Sequence, residues 1–109
     1  MDATIKDKWI AALTSGEYRQ TRNSLQFGGG YCCLGVLCDL AAKEGKGKWG
    51  TDAGGCVFTD SKGLDEFDVP STDTLEWAGL VGSDWNHLAE LNDDGHTFDT
   101  IAEVIKTDF

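Results

Sequence analysis

Cys32 and Cys33 stand side by side, with only Tyr31 between them and the run Gly28-Gly29-Gly30. A thiol at the first turn of a helix meets free backbone N–H groups and the positive end of the helix dipole, which lower its pKa. In a thiol hydrolase, Cys32 or Cys33 would be the nucleophile, His87 the base and Asn92 the group that orients it. Competing with that chemistry is a plain one: the segment from Cys32 to Ala42 is almost wholly apolar, as the central helix of a small core is.

The same glycines suit a second chemistry. A glycine turn that opens a helix offers backbone N–H groups to a phosphate. Arg19 or Arg22 would pair with that anion and an aromatic side chain would stack on an attached base. The residues proposed for this ligand site are Arg19, Arg22, Gly29, Gly30, Tyr31 and Trp85, with Trp49 a further aromatic on the surface. Each also has an ordinary role: a glycine triplet in a hairpin turn, tryptophan in a core, arginine as a solvated side chain.

Metal chemistry is not indicated. Cys32, Cys33, Cys38 and Cys56 contain no Cys-x-x-Cys pair, and neither His87 nor His96 lies at finger-like spacing from them. Three of the four thiols fall in an apolar run, so reduced, buried cysteines are expected rather than disulfides. No phosphate-binding loop with its lysine, dinucleotide fingerprint or metalloprotease motif occurs, and no cofactor is expected.

Charge divides the 109-residue chain. Residues 1–50 carry seven basic and five acidic side chains, a net of +2, whereas residues 51–109 carry two and fourteen, a net of −12. General nucleic-acid binding is disfavoured by that balance. An anionic ligand is expected on the first half. The acidic cluster Asp65, Glu66, Asp68, Asp73 and Glu76 offers a surface for a basic protein partner, or simply keeps the chain in solution. No segment has the apolar length to span a bilayer, and the first residues lack the layout of a signal peptide, so a cytosolic protein is expected.

The elements that must position these residues follow from periodicity. Ile5, Trp9, Ala12 and Leu13 predict a helix over 4–15, stopped at Ser15-Gly16. Residues 18–27 suit one or two short strands with a turn at Asn23-Ser24, and 32–44 a helix opened by the glycines. Gly35 inside that helix costs roughly 1 kcal/mol against alanine, so another backbone or a ligand must approach it closely. Short strands are expected over 45–63 and an acidic loop over 64–69. A short helix over 71–78 is marked by Pro70 and an Asp73-x-x-Glu76 capping box, and an extended segment is expected over 81–91. Asn92-Asp93-Asp94-Gly95 marks a turn, and Thr97 caps a last helix with Phe98, Ile101, Ala102 and Ile105 on one stripe. The expected class is α+β: a single domain over 1–109, with three to four helices on a small antiparallel sheet.

Three stretches carry a resemblance: Lys8 to Tyr18, Tyr31-Cys32-Cys33-Leu34-Gly35-Val36-Leu37-Cys38-Asp39-Leu40, and Leu88 to Gly95 leading into Thr97 to Ala102. Together they resemble a family of small, largely uncharacterised proteins encoded by tailed bacteriophages and prophages. The similarity spans most of the chain, least over 45–70, and carries over no catalytic residue. It implies an accessory protein of the host cytosol that acts by binding, in the manner of anti-defence proteins that sequester a nucleotide-derived immune signal such as a cyclic nucleotide or an ADP-ribose-like molecule. The alternatives are an acidic inhibitor of a host protein and a cysteine-dependent hydrolase. A domain of this length has little interior to spare, so a homo-oligomer enclosing the ligand is expected.

Overall fold

Asp2 accepts the Ile5 N–H at 2.9 Å and starts helix α1, Ala3–Thr14, whose Ile5, Trp9 and Leu13 recur on one buried side. A computed structural model of the chain describes residues 1–52, 55–66, 69–80 and 82–109. The elements after α1 are β1 (Gln26–Phe27), β2 (Gly30–Tyr31), α2 (Cys33–Lys43), β3 (Gly47–Asp52), β4 (Gly55–Asp60), β5 (Asp65–Glu66), α3 (Thr72–Ala78), α4 (Asn86–Asp93) and α5 (Phe98–Asp108). The class is α+β, with five helices among the described residues and two small antiparallel sheets, β1-β2 and β3-β4-β5. Among the described residues, no helix is long and apolar enough to cross a membrane.

Helix α2 is the centre. Cys33, Leu34, Val36, Leu37, Cys38 and Ala41 are fully enclosed, between α1, α4 and strand β3. From α1 the Trp9 Nε1–H donates to the Cys33 carbonyl at 2.9 Å, so the buried indole has its partner. Helix α5 lies along α1 and adds Phe98, Ile101, Ala102 and Ile105 to the core. Gly35 faces the loop before β1: a Cβ there would stand 1.8 Å from the Leu25 carbonyl oxygen. The expected close approach is therefore by backbone.

The class stands, but five helices occur among the described residues where three to four were expected, and four further expectations change. The glycine run does not open α2. Gly28 and Gly29, with φ of +58° and +82°, form the two-residue turn between β1 and β2, in which Phe27 pairs with Gly30 and Gln26 with Tyr31. Both turn positions need a left-handed backbone that glycine adopts without strain. Residues 86–93, within the segment expected to be extended, form α4, because Leu88 and Asn92 recur at helical spacing and both are buried; Val81 lies outside the described residues. Helix α3 is capped by Ser71, whose Oγ accepts the Thr74 N–H at 3.4 Å, and not by Asp73. Asp73 instead pairs with Lys62 at 3.6 Å and accepts from Ser61. In the expected acidic loop, Asp65 and Glu66 pair with Thr59 and Phe58 as β5, while residues 67–68 lie outside the described ones.

Candidate functional site

The β1–β2 turn gathers part of the ligand set. Arg19 reaches across it, and its guanidinium donates to the Gly28 carbonyl. Backbone pairing holds the arginine there, because the Tyr31 N–H donates to the Arg19 carbonyl at 2.7 Å and the Thr21 N–H to the Tyr31 carbonyl at 2.9 Å. Strand pleating puts Phe27 and Gly30 on one face of the hairpin. A Cβ at Gly30 would meet Thr21 Cβ at 3.1 Å and the Arg19 carbonyl at 3.2 Å, because the 19–21 segment bridges β2 edge to edge at Tyr31. Gly30 is accordingly buried and serves packing. Among the described residues neither Gly28 nor Gly29 gives its N–H to a backbone carbonyl. Phe27 beside them is 61% exposed. The tip thus combines a guanidinium, two free amides and an uncovered aromatic ring. Phe27 was missed in the sequence, where it is one more strand residue; its adjacency to the glycine triplet was the available signal.

The other proposed contacts lie elsewhere. The Tyr31 side chain turns to the opposite face and joins an aromatic row, edge-to-face with Tyr18 at 5.1 Å and Trp49 at 5.8 Å, the latter packing on Phe58 at 5.0 Å. Asp39 ties that row together, accepting from the Tyr18 hydroxyl at 2.5 Å and from the Trp49 Nε1–H at 3.0 Å. Lys43 stands 3.6 Å from the Asp39 carboxylate and 3.1 Å from the Tyr18 hydroxyl. Burial, then the bond to Asp39, raises the Tyr18 pKa, and burial raises that of Tyr31. Arg22 rests against Gly95, where a Cβ would lie 2.9 Å from its Nη2, past the C-terminal end of α4. Trp85 is the N-cap of α4 and donates to the Gly82 carbonyl at 3.1 Å. About 12 Å of helix separates those two residues, and each is engaged away from the β1–β2 turn.

Thiol chemistry finds little support in the geometry. Cys32, not a helical residue but the N-cap of α2, accepts the Gly35 N–H on its sulfur at 3.2 Å. Burial pushes its pKa up to about 11 despite that bond, and pushes Cys33 and Cys38 well up too. Cys33 donates its S–H to the Leu88 carbonyl at 3.5 Å. None of the four cysteines is paired, and Cys56 is half-buried. Asn92 does sit beside Cys33, but on its backbone: the carboxamide oxygen accepts the Cys33 N–H at 3.1 Å. Among the described residues no hydrogen bond joins a thiol to His87 or His96, both exposed, and no cluster of His, Cys, Asp and Glu is arranged to hold a metal.

His87 instead lines a cavity of about 480 Å³ with Asp84, Glu90 and Asp108, beside Ser83, Asn86 and Phe109. It is the acidic counterpart of the hairpin tip, in the half of the chain that carries the negative charge.

No curated protein and no solved structure matches the chain. One family does, described as a domain of unknown function (DUF8296), and its match runs over residues 1–109. The chain, with its thiol-capped central helix and its glycine hairpin, is a member of the DUF8296 family.

Proposed function

We propose that this protein works by binding, and that the hairpin tip holds a small nucleotide-like anion. The observation that carries this is the Arg19 guanidinium fixed on a turn with two free glycine amides, beside a Phe27 ring that is 61% exposed. The amides and guanidinium suit a phosphate, and the ring suits a base. In this reading the protein is a phage accessory factor of the host cytosol that sequesters a nucleotide-derived immune signal. Arg19, Phe27, Gly28 and Gly29 are all exposed, so the tip grips a ligand from one side and a second copy would complete the enclosure. Native mass spectrometry of the protein with a pool of cyclic and ADP-ribose-type nucleotides tests it. A retained ligand mass on an oligomer is expected; bare protein across the pool overturns the reading.

A second reading rests on the cavity lined by Asp84, Glu90 and Asp108. Its charge suits a lysine or arginine of a host protein, as an acidic inhibitor would require. Asp84→Asn combined with Glu90→Gln should abolish a salt-sensitive host complex that the unaltered protein forms.

A further inference from the structure

The hairpin tip offers one positive charge. Among the described residues the ion pairs are Lys8–Glu44, Lys43–Asp39 and Lys62–Asp73, so Lys43 is already compensated by the carboxylate 3.6 Å away. Lys48 alternates with Gly47 and Trp49 along β3, and a Cβ on Gly47 would run into Phe58, so Lys48 points to the outer side of that sheet. Arg22 lies away from the tip, against Gly95 just past the C-terminal end of α4, the negative end of its dipole. Among the described residues Arg19 has no carboxylate partner, and its bond at the turn is to a neutral carbonyl. Around it lies a chain of net charge −10.

We infer, resting on the binding reading above, that the tip selects a nucleotide whose phosphate is a diester. A diester carries one negative charge and is balanced by Arg19 alone, its two oxygens taking the guanidinium and the glycine amides. A terminal phosphate carries roughly two charges, and a triphosphate adds more. The excess has no cation within the tip and is repelled by the acidic half of the molecule. Phe27 stacks on the base in either case, so phosphate charge is what discriminates.

The test is isothermal titration of the whole protein with a cyclic nucleoside monophosphate and with the triphosphate of the same nucleoside. The same titrations follow on Arg19→Ala and Phe27→Ala, with circular dichroism melts confirming that both variants fold. The expected result is binding of the cyclic ligand at least about tenfold tighter than the triphosphate, with that preference lost in Arg19→Ala and both affinities reduced in Phe27→Ala. A triphosphate that binds equally or more tightly, but still needs Arg19, overturns the charge selection and leaves the hairpin site standing. Binding of neither ligand, or binding indifferent to both substitutions, overturns the hairpin site itself.

Discussion

The carboxamide oxygen of Asn92 accepts the Cys33 N–H at 3.1 Å and so ties the last turn of α4 to the first turn of α2. The same oxygen accepts from Gln20 Nε2 at 2.9 Å, and the Asn92 amide donates to the Thr21 carbonyl at 2.8 Å. One fully buried side chain thereby joins both helices to the segment that carries Arg19. The hairpin tip is positioned from the core.

Asn92→Ala should therefore destabilise strongly. It strands a buried N–H and a carbonyl and leaves a void, a combined loss of about 3 kcal/mol. Asn92→Asp keeps the acceptor but removes the donor and buries a charge, so it should fall in the same range. Urea denaturation of both variants checks this, and a midpoint unchanged in either contradicts the linking role.

Gly35→Ala separates helix propensity from packing. In an isolated helix the change is favourable by about 1 kcal/mol. Here the new methyl would stand 1.8 Å from the Leu25 carbonyl oxygen, so α2 or the loop must move. A net loss of about 3 kcal/mol is expected, seen as a thermal midpoint roughly 15 °C lower.

Thiol reactivity should follow burial. With Ellman's reagent at neutral pH, the half-buried Cys56 should react first and Cys32, Cys33 and Cys38 only on unfolding. Fast labelling of Cys32 in the folded protein would reinstate the hydrolase reading. Cys32→Ser should preserve the α2 cap, because a hydroxyl accepts the Gly35 N–H at least as well.

Alkaline pH should destabilise the fold through the same thiol. The folded Cys32 pKa of about 11 lies above its ordinary value of 9.0, so above pH 9 the unfolded chain releases a proton that the folded one retains. Its stabilising contribution is complete below pH 9 and is lost as pH rises toward 11. Cys33 and Cys38 act in the same direction. Denaturation midpoints should fall across that window, and less steeply in Cys32→Ser.

The hairpin turn gives a local test. Gly29→Ala puts a side chain at φ +82° and 3.6 Å from Arg19 Nη2. It should cost about 1 kcal/mol through backbone strain and weaken any ligand held at the tip. Gly45→Ala, also at positive φ but with open space around it, should show the strain without the binding defect.

Much of the architecture was legible because it is periodic and local. Helix α1 shows in Ile5, Trp9 and Leu13, α5 in its Thr97 cap and apolar stripe, and Gly35 announced a close approach by being costly where it stands. Helix α4 is signalled by Leu88 and Leu91, three residues apart as on a helix, but the turn-forming run Asn92-Asp93-Asp94-Gly95 masks its end, and only the burial of Asn92 beside Leu88 completes the helical face. A buried asparagine is indistinguishable in sequence from a turn asparagine, since its partners Gln20, Thr21 and Cys33 are some 59 to 72 residues away.

The candidate site divides along the same line. Residue types alone determined that an arginine, glycines and aromatics of the first half had the chemistry for an anion, and that Cys32, Cys33 and Cys38 belonged to a core. Tertiary structure decided which of them meet. It took Tyr31 into a row with Tyr18 and Trp49, set Arg22 and Trp85 at opposite ends of α4, and left Arg19 with Phe27 at the glycine turn. Spacing along the chain fixes only neighbours within a few residues, whereas the face a side chain takes depends on strand register, and register is set by partners distant in sequence.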